Sequence, residues 1–339
     1  MENTSIPYEL NKSAACKNIP LNFFAEVTYA CNLRCYYCYN CPDAGRSELT
    51  ASQWQQVFAH LADMGCLFLT ISGGEPFARS DIFEIIEGAR KFSFAVSLIT
   101  NGTLIDADKA KRLSELSVVD VGVSFHAADP VIHDMLTGSA GSFAAAYRGM
   151  KLLQENNVPV IMKHTVSNKN FGQYRALSKM AEKENAFFEC DAVIFSGKHL
   201  AVSMFSVEIE QYQQFFDDMG IGGAVAGPKT DADDNLHCDA GRNLGGITPY
   251  GDVYPCIQLP LLWGNVGEMP IYSIWNSQAA HQYRMDEKNV GQECTQCSTK
   301  RFCSRCPGLS FVETGLWQDA SPSLCKRAKA LEQKSMGVV

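Results

Sequence analysis

Six short apolar runs, each followed by an amphipathic stretch, predict an α/β fold with a parallel sheet and helices outside it. Two further observations shape the prediction. Glycine-bearing and polar motifs stand directly after the first strands, and cysteines crowd the C-terminal third of the chain. The runs lie at 23–28, 67–72, 95–99, 119–124, 158–165 and 187–195, with helical patterns at 50–64, 80–92, 106–116, 142–156 and 170–185 between them. Thr50 is the expected N-cap of the first helix, because its hydroxyl can accept from a backbone N–H of the first turn.

In a sheet of this kind function gathers at the C-terminal ends of the strands. The distinctive residues fall there: the Cys31 loop after strand 1, Gly73, Gly74 and Glu75 after strand 2, Asn101 after strand 3, and Ser124 at the end of strand 4. A helical stretch at 207–219 leads into a glycine-rich and then acidic segment that reads as a linker. The expected organisation is an N-terminal extension (1–20), a core (21–219), a linker (220–237), and a cysteine-rich domain with a C-terminal helix (238–339).

The core carries Cys31, Cys35 and Cys38 in YACNLRCYYCYN, spaced C-x3-C-x2-C. Three thiolates from one loop leave one iron of a four-iron cluster without a protein ligand, and an open metal position is where chemistry occurs. Structural zinc wants a fourth ligand at knuckle spacing. Cys41 alone stands near enough, and it leaves a second triad, Cys35, Cys38 and Cys41, open. Ser72-Gly73-Gly74-Glu75-Pro76 follows directly on the second apolar run.

This pairing resembles the radical S-adenosylmethionine (SAM) enzymes, with Tyr37 as the aromatic residue before the last ligand. The resemblance implies a partial (β/α)6 TIM-like barrel and a [4Fe-4S] cluster whose open iron chelates SAM. It also implies reductive cleavage of SAM to methionine and a 5′-deoxyadenosyl radical that abstracts a substrate hydrogen. Gly73 and Gly74 would admit the methionine part of SAM, Glu75 would accept from its ammonium, and Asn101 and Ser124 would line the site. Relatives often read Ser-Leu-Asp-Gly at strand 4 with an arginine twelve residues on. This chain reads Ser124-Phe125-His126-Ala127, with Leu136 at the arginine position. Lys163 is therefore the candidate carboxylate clamp, and His126 the candidate proton donor or acceptor facing the substrate.

Cys238, Cys256, Cys294, Cys297, Cys303, Cys306 and Cys325 follow the order C-x17-C, C-x2-C-x5-C-x2-C, then a last C, with Gly251 five residues before Cys256. This resembles the SPASM domain of peptide- and protein-modifying radical SAM enzymes, departing by x2 in place of x3 before Cys306. Family connectivity implies two auxiliary iron–sulfur clusters, one on Cys294, Cys297, Cys303 and Cys325, the other on Cys238, Cys256 and Cys306. The second set is one ligand short. His237, Asp239 or an acidic residue of 231–234 is a candidate to fill it, with an open iron or a smaller cluster as alternatives, and a zinc ribbon competes for the same cysteines. Cys16, Cys41, Cys66 and Cys190 are expected to be structural.

The resemblance implies a peptide or protein substrate and a flavodoxin- or ferredoxin-type electron donor. The stretch before strand 1 is short for a leader-binding winged domain, so a separate leader-peptide-binding protein is expected. A haem side-chain tailoring enzyme is the alternative. Sulfatase maturation is disfavoured because Ile257, not an acid, follows Cys256. An iron–sulfur scaffold or electron carrier has no need of the glycine–glycine–glutamate turn. The net charge of −8 argues against nonspecific nucleic-acid binding. No run is long enough to span a membrane, and the polar N-terminus lacks a signal-peptide core. A cytoplasmic enzyme with its fourteen cysteines reduced is expected.

Overall fold

A computed structural model describes residues 6–40, 45–195, 201–221, 238–286 and 290–336. Cys41, His237, the acidic run at 231–234 and most of the expected linker lie outside the described residues.

Six core strands form where the apolar runs predict them: β1 (Asn22–Thr28), β2 (Phe68–Gly73), β3 (Ala95–Thr100), β4 (Asp120–Ser124), β5 (Val160–Thr165) and β6 (Phe187–Asp191). Each is parallel to the next. β6 ends before the expected residue 195, because the chain turns away after Asp191. Helices Ala51–Asp63, Ile82–Lys91, Ala107–Glu115, Ser142–Glu155 and Gln173–Lys183 fill the connections. Thr50 caps the first of them in a reciprocal box with Gln53, which satisfies two backbone donors at once.

Strand alternation sorts the side chains. Phe23, Ala25 and Val27 of β1, with Leu69, Ile71, Val96, Leu98, Val121 and Val123, pack under Trp54, Phe58, Ile85 and Ile86 of the helices. Burial of each large side chain contributes about 2 kcal/mol. The alternate residues, among them Glu26, Ser72, Ser97, Gly122, Ser124 and Lys163, take the other face, which mixes polar residues with apolar ones such as Phe24 and Ile99.

The sheet does not stop at the core. β7 (Leu244–Ile247) runs parallel to β1, and antiparallel β8 (Asp252–Tyr254) and β9 (Gly264–Asn265) continue it. The nine strands run in the order β6-β5-β4-β3-β2-β1-β7-β8-β9. The cysteine-rich segment thus shares the core's sheet, and its helix Pro322–Ser335 packs against Ile209–Asp218. The N-terminal extension contains a helix, Ile6–Lys17, whose Asn11 accepts from Asn22 and Asn243 near the starts of β1 and β7. Among the described residues no helix is long and apolar enough to cross a membrane.

Candidate functional site

The cysteine loop leaves β1 after Thr28 and is held from three sides. Gly74 N–H donates to Thr28 O (2.7 Å) and Glu75 N–H to Ala30 O (2.9 Å), seating the β2 turn on the loop. A Cβ at Gly73 would collide with the Thr28 carbonyl, and one at Gly74 would lie 2.8 Å from Tyr29 O. Gly73 also sits at φ +128°, where side chains are strained. These glycines seat the loop.

The third support comes from helix Pro130–Thr137, which sequence patterning missed although Asp129-Pro130 is a start signal. Its last carbonyls, Leu136 O and Thr137 O, accept from Tyr36 N–H and Arg34 N–H, both at 2.9 Å. Helix-end carbonyls need such partners.

The Glu75 carboxylate is fully buried and takes Thr100 Oγ1–H (2.7 Å), Asn101 N–H (2.8 Å) and Phe77 N–H (3.1 Å). Burial pushes its pKa up while these donors pull it down. It clamps the end of β2 to the end of β3. Asn101 then reaches back, donating from Nδ2 to the Cys31 sulfur at 3.8 Å.

The three sulfurs are neighbours. Burial, followed by the adjacent Cys38 and Cys31, pushes the Cys35 thiol up to about 12. Three cysteines on one loop are the donors that a metal cluster would take once they are deprotonated. Two buried polar atoms nearby lack a protein partner, Ser72 Oγ of β2 and Asn40 Oδ1, while Asn40 Nδ2 donates to Gly73 O at 2.7 Å. Donor chemistry and orphaned atoms both fit a cluster with a small polar ligand.

His126 stands beside the loop. Its Nδ1 lies 2.6 Å from the Tyr37 hydroxyl and its Nε2 3.9 Å from the Cys35 sulfur, so both nitrogens address the loop. Burial, with His133 and His164 nearby, lowers its pKa to about 3. Ser124 is half-buried at the end of β4. Lys163 lies across Gly122, where a Cβ would meet its Cε at 2.7 Å, and its Nζ donates to Glu189 at 2.5 Å.

The C-terminal cysteines fall into two groups. Burial, then Cys238 and Cys306, pushes Cys256 up to about 12 against the Gln258 N–H that lowers it. Burial, then Cys325, Cys294 and Cys297, does the same for Cys303. Asp239 uses its backbone carbonyl to accept from Arg242, Asn243 and Leu244 N–H.

Sequence reasoning passed over Glu26. This β1 residue is 2% exposed, accepts from Tyr29 (2.8 Å) and Tyr39 (3.1 Å), and is pushed up to about 7 by burial. Tyr39 has both Cys38 and Cys256 in its surroundings. A lone acid in the apolar strand NFFAEVT was the available signal.

The radical SAM superfamily model matches residues 25–169, and that of the SPASM iron–sulfur cluster-binding domain matches 238–298. This chain is a radical SAM enzyme with a SPASM domain. An AdoMet-dependent heme synthase of Methanosarcina barkeri is 25% identical, covering 91% of this chain and 97% of its own. Among solved structures, native anSMEcpe with bound AdoMet superposes with a TM-score of 0.72 at 20% identity, over 94% of this chain and 97% of its own. SuiB of Streptococcus suis bound to S-adenosylmethionine gives 0.70 at 17%, over 95% and 83%. These two likenesses establish the shared fold. As a radical SAM enzyme with a SPASM domain, the chain takes a [4Fe-4S] cluster, SAM and auxiliary iron–sulfur clusters.

Proposed function

We propose that this radical SAM enzyme modifies a ribosomally made peptide or protein. Bound SAM and the reduced cluster supply the radical that abstracts a substrate hydrogen. The chain's own residues position and shield. Cys31, Cys35 and Cys38 hold the cluster, and the glycine turn fixes their loop. Asn101 and Ser124 line the SAM site, and Lys163 is the cation available to the SAM carboxylate. Cys238, Cys256 and Cys306 would hold one auxiliary cluster, and Cys294, Cys297, Cys303 and Cys325 the other.

The observation that carries the choice of substrate is the charge of the core strands. In the six core strands Lys163 is the only lysine or arginine, and Glu189 pairs with it. The acidic residues of β1 and β4, Glu26 and Asp120, add no cation. A substrate bearing several carboxylates needs cations there, whereas a peptide backbone does not. Solved relatives of the same fold carry peptides, including SuiB bound to precursor peptide SuiA.

A haem-tailoring reading draws on the identity with the heme synthase over nearly both chains. To decide, reconstituted enzyme is incubated anaerobically with reductant, SAM and either a peptide encoded beside its gene or a propionate-bearing iron porphyrin. Mass loss or crosslinking of the peptide supports the proposal. Decarboxylation of the porphyrin with an untouched peptide overturns it.

A further inference from the structure

One side-chain neighbour of the cysteine loop has an unusually well fixed geometry. His126 follows β4 by two residues. Its backbone N–H donates to His133 Nδ1 at 3.2 Å, and its carbonyl accepts from Asn170 Nδ2 at 2.8 Å. Its ring packs against those of Tyr37 and His133, with centroids 5.5 Å and 5.4 Å away. His133 is itself buried. The imidazole therefore has little freedom to rotate.

The Tyr37 hydroxyl, in a buried side chain, lies 2.6 Å from Nδ1. When the phenol donates to Nδ1 of the neutral ring, the N–H stands on Nε2. In the cationic ring Nε2 carries a proton as well. In either state an N–H is directed at the Cys35 sulfur, 3.9 Å away. Cys31 of the same loop takes the N–H of Leu33 at 3.4 Å and the Asn101 amide.

We propose that His126 is a positioning residue whose Nε2–H, oriented by the Tyr37 hydroxyl, donates to the Cys35 sulfur and raises the reduction potential of the cluster held by this loop. The physical reason is general. An N–H on a ligand sulfur stabilises the more negative, reduced state more than the oxidised one. The assignment is independent of the substrate, so it stands or falls separately from the peptide reading.

The test is a potentiometric titration of the reconstituted full chain. The paramagnetic signal that changes on adding SAM is followed, which separates this cluster from the auxiliary ones. His126→Phe keeps a ring and removes the donor, so the midpoint should move to a more negative value while the SAM-insensitive signals stay in place. His126→Gln restores an N–H of similar reach and should recover part of the shift. Tyr37→Phe frees Nδ1 to take the proton and should move the midpoint in the same direction by less. A wild-type midpoint in His126→Phe, or equal shifts in the Phe and Gln variants, overturns the proposal. Should His126→Phe fail to retain iron in the loop, an unchanged midpoint in Tyr37→Phe overturns it instead.

Discussion

The hydroxyl of Tyr39, the residue after Cys38, donates to the Glu26 carboxylate at 3.1 Å. A β1 acid is thereby tied to the cysteine loop at a point that also has Cys256 nearby. Tyr29 donates to the other oxygen of the same carboxylate, so the loop is anchored twice to one buried group.

That group makes stability depend on pH. Burial raises the Glu26 pKa from the usual carboxylate range to about 7. The folded state therefore holds a proton that the unfolded state releases, and the benefit is complete at low pH and lost as pH rises toward 7. Above that pH the ionised acid costs about 3 kcal/mol. Glu26→Gln should gain thermal stability relative to wild type between pH 5 and pH 8, as read by melting scans. A difference that stays flat across that range would show that Glu26 is not protonated in the fold.

The cluster loop can be emptied selectively. One SAM-binding and two auxiliary sites imply roughly eight to twelve irons per chain. Cys35→Ala should abolish formation of 5′-deoxyadenosine, and the Cys31/Cys35/Cys38→Ala triple variant should lose about four irons while keeping the auxiliary absorption. Unchanged turnover in Cys35→Ala, or four irons in the intact chain, contradicts the assignment.

Glu75→Gln tests the clamp. An amide keeps the size but presents an NH2 group to N–H and O–H donors, leaving one buried donor unmet. The cost should be about 2 kcal/mol. Since Asn101 hangs from the clamp and reaches Cys31, SAM affinity should fall as well. Calorimetry of SAM binding together with denaturant titration reads both effects.

Lys163 and Gly122 should behave as one unit. Lys163→Met removes a half-exposed ion pair, so stability should change by less than about 1 kcal/mol. If the lysine engages the SAM carboxylate, affinity should drop about tenfold. Gly122→Ala displaces the lysine stem and should reproduce the same loss of affinity, while Glu189→Gln should not. SAM binding unaffected in Lys163→Met removes it from the site.

The strands and their rim were legible because apolar alternation and cysteine spacing are local signals. Runs such as Leu69-Thr70-Ile71 announce themselves, and the motif residues follow directly. β7 was not legible, since Leu244-Gly245-Gly246-Ile247 has two glycines and only four residues. Its glycines are required by tertiary packing, where a Cβ at Gly245 would press on Trp275 at 2.7 Å. The partners of Glu75 and His126 were not legible for a related reason. Spacing places a residue on the rim, but its partners come from other elements: Thr100 in one case, Tyr37 and Cys35 in the other.

The pairing of β7 with β1 has a bearing on how the chain can be cut and made. β1, which carries the cysteine loop, becomes an interior strand only when residues 244–247 arrive beside it. A fragment ending before them would present β1 as a bare edge with unanswered backbone groups, and such an edge recruits foreign strands. The radical-generating half is thus not a separable module. During synthesis its first strand waits for a segment made more than two hundred residues later.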